Sequence, residues 1–212
     1  RQEPAIWLAH LDMTRTFERS VRRAGIPVAY SGGFNPRPRL SFALPIGVGT
    51  ATEDDRLDIQ LEDGTAAVQT RVAEWTDALN RNLPDGLAVC AGELADSGGP
   101  SLMSLVTAAE YPLQTVGLQA AIRQLEARDD LAAWTVDKNS KGKTIKTDIR
   151  PLILTFRLEG PDQAIIQVRA GSRQNLRPDL FLQILVLQGG LDETAAADSG
   201  ITRTRLWLGE EP

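Results

Sequence analysis

The chain's single histidine, His10, stands two residues before Asp12. A carboxylate beside an imidazole can orient the ring and raise its pKa, which is the arrangement of a general base. The pair has a plainer reading as well: Asp12 caps a helix and His10 is a satisfied or binding side chain, since no serine or cysteine nucleophile is identifiable as a partner. Both readings stay open on the residues alone. The lone cysteine, Cys90, excludes an intrachain disulfide and any cysteine-rich zinc or iron–sulfur site built by this chain alone. Its alternating neighbours Leu87, Val89 and Ala91 make it a small packed hydrophobe in a strand. Neither a metal site nor a cofactor is expected.

The stronger chemical signal is cationic. The net charge of −5 argues against indiscriminate coating of nucleic acid, but residues 1–50 hold seven arginines against Glu3, Asp12 and Glu18, a local +4 that leaves −9 for the rest. Arg15, Arg19, Arg22 and Arg23 fall on one face of a helix with only Glu18 near to compensate, a pattern that fits a phosphate-bearing partner as well as an ordinary solvated face. The stretch YSGGFNPRPRLSF, residues 30–42, follows. Gly32 and Gly33 permit backbone shapes closed to other residues, while Pro36 and Pro38 hold Asn35 and Arg37 extended, so the loop is shaped. Tyr30 and Phe34 could stack on bases while Arg37 and Arg39 meet phosphates; alternatively Phe34 plugs the local core. All four lysines, Lys138, Lys141, Lys143 and Lys146, lie in VDKNSKGKTIKTDIR, a hairpin tip that is either merely solvated or a grip on a phosphate backbone. Arg150, and Arg173 with Arg177 around a Gly171–Asn175 loop, add possible anion donors; the plainer reading of the second group is a loop leading to a helix with Pro178 in its first turn.

These side chains need elements to hold them. Ala5–Leu11 reads as a first strand, followed by a helix from Asp12 to about Ala24 with Met13, Phe17, Val21 and Ala24 inward. Strands over 40–48 and 56–61 joined by a hairpin at 50–55, a helix over 66–82 and a strand over 87–94 complete a β-α-β-β-α-β order. After a linker at 97–101 the order recurs, with strands near 102–114, 132–136, 152–158 and 202–208, an added strand near 164–169, and helices near 118–128 and 178–188. The predicted fold is α+β: two ferredoxin-like (βαββαβ) lobes in tandem, residues 1–96 and 101–212, each an antiparallel sheet covered on one face by helices. With 212 residues, 42% apolar, no apolar run near the ~20 residues of a membrane span, and no signal-peptide order in RQEPAIWLAH, the expectation is a cytoplasmic protein without membrane contact.

HLDMTRTFERSVRRAGIPVAYSGGFNPRPRLSFALPIGVGT followed by EDDRLDIQL, with DIRP and NLRPD later, resembles the signature of the radical-SAM-linked proteins, a bacterial domain family of unknown function. The chain departs from that pattern at Arg37, where relatives often carry histidine, and at Arg56, where an aromatic residue is common. The resemblance implies a protein that accompanies or is fused to a radical-SAM enzyme, with relatives encoded near ribonuclease E/G and ribosomal-protein genes; it supplies no activity. A radical-SAM cluster needs three cysteines in a short motif, so any radical chemistry would belong to the partner. Tandem ferredoxin-like lobes also occur in CRISPR repeat-processing endonucleases, an analogy of fold alone. The leading expectation is a non-catalytic accessory that presents tRNA or rRNA to a radical-SAM enzyme. The alternatives are an enzyme acting on RNA or a phosphorylated substrate through His10 and Asp12, and a protein–protein adaptor for the radical-SAM enzyme.

Overall fold

Apolar side chains at 13, 17 and 21, with Thr16 and Ser20 between them, fold as helix α1 (His10–Arg23) and turn one face inward. The structure is a computed structural model. It describes the chain apart from residues 63–67, 96–97, 129–133, 141–142 and 211 and the side chains of 68–69, 138–140 and 143. The predicted helix start at 66–67, Ser97 of the linker, residues 132–133 and Lys141 thus lie outside the described residues. Two compact units are present, Arg1–Leu105 and Val106–Pro212.

In the first unit Met13, Phe17 and Val21 meet Ile26, Val28, Phe42 and, from helix α2 (Val68–Asn80), Trp75 and Leu79. Each such buried side chain contributes roughly 1.5–3 kcal/mol. Strands β1 (Leu40–Phe42) and β3 (Leu57–Ile59) pair antiparallel with Leu40 opposite Ile59, and β2 (Thr50–Thr52) lies in the connection between them. The predicted strand over 40–48 therefore ends early, at Phe42. The Ser20 hydroxyl donates to the Asn82 carbonyl at 2.8 Å and ties α1 to the end of α2.

Two predicted strands of this unit are absent. Ala5–Trp7 is a single 3-10 turn, and α1 starts at His10 behind Ala9. Ala5 and Ile6 are both buried while Trp7 is 64% exposed. Adjacent residues cannot both point to one face of a strand, whereas a helical turn allows it. Asp12 is consequently not a cap; it sits inside the first turn, where a carboxylate favours the positive end of the helix dipole. Residues 87–94 form no strand ladder. The Asn80 side chain takes the place of a partner strand: its Nδ2 donates to the Val89 carbonyl at 2.9 Å and its Oδ1 accepts from the Val89 amide at 2.7 Å. Cys90 is exposed rather than packed, because no sheet covers it. Replacing Asn80 with alanine removes both bonds, at about 1–2 kcal/mol in total. Amide exchange at Val89 should accelerate about tenfold while the amides around Trp75 keep their protection; Asn80→Asp, which retains the acceptor, should restore part of it.

The second unit runs β4 (Val106–Gln114), α4 (Leu118–Glu126), β5 (Thr135–Ser140), β6 (Lys143–Asp148), β7 (Ile153–Gly160), β8 (Gln163–Arg169), α5 (Pro178–Gly189), α6 (Glu193–Ala197), β9 (Ile201–Arg203) and β10 (Arg205–Leu208), after a helical turn α3 (Leu102–Leu105). Its sheet has the order β10-β4-β8-β7 with every pair antiparallel. Taking β4, α4, β7, β8, α5 and β10 in sequence gives βαββαβ with the spatial order fourth, first, third, second, as a split βαβ requires. The strand predicted from Leu102 starts only at Val106. Two further assignments exchange roles. The segment expected near 132–136 pairs with Lys143–Asp148 as a separate hairpin, and the strand expected as an addition near 164–169 lies inside the sheet, between β4 and β7. Burial decides this: Ala164, Ile166 and Val168 are buried and Ile165 and Gln167 half-buried, which fits an interior strand, whereas exposed Thr144, Ile145 and Lys146 do not. Leu118, Ile122 and Leu125 of α4 and Phe181, Ile184 and Leu185 of α5 supply the buried helical layer.

Candidate nucleic-acid interface

At 3.6 residues per turn, the face of α1 opposite Met13, Phe17 and Val21 carries Leu11, Arg15 and Arg22 on one stripe, with Arg19 and Arg23 beside it. All five are exposed. Arg15 reaches Asp12 at 3.4 Å, an exposed pair of little energetic weight. Among the described residues no carboxylate comes within 4.0 Å of Arg19, Arg22 or Arg23. Arg22 and Arg23 lie in the last turn, where a cation also complements the helix dipole.

The glycine–proline loop is built as a hairpin tip. Val28 bridges Leu61, and Ala29 donates its amide to the Gln60 carbonyl at 2.7 Å, so the strand-like entry is anchored beside β3. Tyr30 bridges Pro38, and the Ser31 amide donates to the Arg37 carbonyl at 2.9 Å. The Arg37 amide returns a bond to the Ser31 hydroxyl at 3.0 Å. Beyond this clasp stand Gly32, Gly33, Phe34, Asn35 and Pro36, all exposed, with Gly33 at φ +104°, a conformation that favours glycine. Phe34 is fully exposed, at 105% of its reference area, which removes the core-plug reading. Tyr30 is 40% exposed.

Arg37 joins the loop to the helix. Its Nη1 lies 3.8 Å from the Glu18 carboxylate, which is itself largely covered, at 14% side-chain exposure, while the Arg37 side chain stays 66% exposed. Arg39 donates from Nη1 to the Gln60 side-chain oxygen at 3.2 Å. The first unit thus brings Arg37, at the foot of the tip carrying Phe34 and Asn35, to Glu18 of the arginine helix. Two exposed apolar residues were not anticipated as surface: Trp7, at 64%, and Leu11, at 68%, both assigned to the absent first strand. Reading 5–7 as a helical turn and starting α1 at His10 is the sequence assignment that would have placed them on the surface.

His10 and Asp12 are not assembled as a dyad. Two residues apart on a helix, they point about 200° from one another. The His10 ring packs edge-on against Phe42, with centroids 5.7 Å apart, and Asp12 faces Arg15. The cleft beside His10, lined also by Met13, Phe42 and Asp55, measures about 10 Å³, space for a single water rather than a substrate.

The remaining cations belong to the second unit. The Arg150 amide donates to Asp148 Oδ1 at 3.0 Å and its guanidinium meets Asp148 Oδ2 at 3.3 Å, closing the turn before β7. Arg150 also borders an open groove of about 360 Å³ with Trp134 and Ile153 to Phe156. Arg177 stands at the N-cap position of α5 without a side-chain capping bond, pairs with Asp179 at 2.8 Å and precedes Pro178 at the first turn. Arg173 is exposed in the preceding loop. Gly171 stands at φ +123°, and a Cβ there would lie 2.3 Å from the Val106 carbonyl oxygen, so this glycine serves backbone packing. Lys143 lies on β6 opposite Ser140.

Fold and site together define a two-unit antiparallel α+β protein whose first unit presents a basic helix face and an aromatic-tipped hairpin. The chain belongs to the bacterial family described as "Uncharacterized protein conserved in bacteria (DUF2344)", which matches residues 1–178. No curated protein matches it. Among the described residues no helix is long and apolar enough to cross a membrane.

Proposed function

We propose that the protein is a non-catalytic RNA-binding accessory of the cytoplasm that presents tRNA or rRNA to a radical-SAM enzyme, with α1 and the residue 30–39 hairpin as its contact surface. The observation that carries this reading is Phe34, wholly in solvent on a hydrogen-bonded tip whose foot, Arg37, reaches Glu18 of the helix that carries Arg19, Arg22 and Arg23. An aromatic ring next to cations is the combination that single-stranded nucleic acid uses, the ring taking a base and the guanidinium groups the phosphates. The resemblance to radical-SAM-linked proteins supports the choice of partner. The catalytic alternative loses support from the separated His10 and Asp12 and the one-water cleft.

Trp7 and Leu11 favour a second reading, in which exposed apolar surface docks the radical-SAM enzyme directly and nucleic acid is not involved. Fluorescence anisotropy with labelled structured RNA separates the two. With three or four phosphates neutralised, affinity should fall roughly 20–150-fold between 50 and 200 mM salt, the lower end for single-stranded and the upper for duplex contacts. An absence of any salt-dependent binding, together with co-purification of the enzyme that survives nuclease and high salt, would transfer the surface to the adaptor role.

A further inference from the structure

We infer that the hairpin tip is a site for one unpaired nucleobase, so that the preferred ligand is an RNA presenting a single-stranded loop beside a stem and not a continuous duplex. The inference rests on the RNA reading and narrows it.

Cations alone cannot tell these ligands apart, because stem and loop both offer phosphates to Arg19, Arg22 and Arg23. Phe34 can. In a duplex the bases are stacked on one another and a projecting phenyl ring meets only sugar and phosphate, where it gains nothing. An unstacked base offers a face of matching size and polarity. The ring is also presented in advance: the Ser31 and Arg37 bonds close the base of the tip, the Tyr30 and Pro38 bridge aligns it, and Gly33 sets its turn. A tip ordered before binding loses little entropy when a base stacks on it. Arg37 stands at the foot of the same tip, and its contact with Glu18 directs it toward α1, so the phosphate next to a base stacked on Phe34 falls to Arg37 and those further along to the helix. Asn35, exposed beside Phe34 and flanked by Pro36, adds an amide that can meet a base edge.

The test uses the full chain and three RNAs of equal length: a stem with an open loop, its blunt duplex, and an unstructured strand. Wild type should bind the stem-loop at least tenfold more tightly than the duplex. Phe34→Ala should lose about tenfold on the stem-loop, the scale of one base stacked on an aromatic ring, with no change on the duplex and an unaltered salt slope. Phe34→Trp should recover the preference, and 2-aminopurine placed in the loop should be quenched by wild type and not by Phe34→Ala. Arg19→Glu should instead flatten the salt slope on both ligands. Equal affinity of wild type for loop and duplex, with Phe34→Ala indistinguishable from it, overturns the base site while leaving the RNA reading in place. Failure of wild type to bind any of the three overturns both.

Discussion

Replacing Arg19, Arg22 and Arg23 with glutamate in one protein is expected to lower RNA affinity by about a thousandfold or more at 100 mM salt, while the thermal transition of the first unit moves by only a few degrees. The asymmetry follows from where these side chains stand. All three are exposed, and among the described residues none has a carboxylate within 4.0 Å, so the free protein loses no ion pair when they are reversed. It loses the favourable placing of Arg22 and Arg23 at the helix C-terminus, worth about 0.3–1 kcal/mol each. In the complex each reversal removes a neutralised phosphate and sets a negative charge against another. The dependence of affinity on salt should flatten by about two to three ions' worth, which anisotropy titrations at two or more ionic strengths read directly. Arg15 is left in place because it shares charge with Asp12, and Arg15→Glu would create two adjacent acids whose repulsion confuses stability with binding. A triple variant that bound RNA as wild type does, at every salt concentration, would remove α1 from the interface.

Helix α1 and its two faces were legible in the sequence because a stripe at 13, 17 and 21 has a period that no strand shares. The neighbouring run 5–11 was not: its apolar content fits a strand, and only the burial of two adjacent residues reveals the turn. Residues 87–94 alternate as a strand should, yet the partner is the amide of Asn80, and a side chain standing in for a strand leaves no periodic trace. In the second unit the elements themselves were largely visible, but composition does not rank strands by their place in a sheet, so the interior strand β8 and the outlying β5–β6 hairpin exchanged roles. For the candidate site, residue types announced a shaped, cationic loop. Whether Phe34 pointed inward depended on the clasp between Ser31 and Arg37, a contact across six positions that sequence spacing alone does not determine. Glu18, the lone acid near the arginine face in the sequence, has as its partner Arg37, brought in by the loop.

Gly171→Ala should produce the largest stability loss of any single methyl added to the second unit, and it should leave RNA affinity per folded molecule unchanged. The glycine occupies φ +123°, where a side chain costs about 1–3 kcal/mol in backbone strain. Its Cβ would also stand 2.3 Å from the Val106 carbonyl oxygen and 3.2 Å from the carbonyl carbon. These are backbone atoms of β4, a central strand of the four-stranded sheet, so no rotamer change relieves the overlap; either the loop or the strand must shift. The adjacent bond from the Ala170 amide to the Thr107 carbonyl, at 3.0 Å, is lost if the loop moves away. Together these effects cost on the order of 3 kcal/mol, a fall of roughly 10–20 °C in the unit's melting temperature. Gly32→Ala provides the contrast, since a Cβ there meets nothing within 4 Å and should leave the melting temperature within a degree or two. The binding measurement then discriminates between two roles for the Gly171–Asn175 loop. If the glycine admits a phosphate to the backbone, the alanine variant loses affinity even where it is fully folded; if it admits only the Val106 carbonyl, as the geometry has it, affinity follows the folded fraction and nothing else.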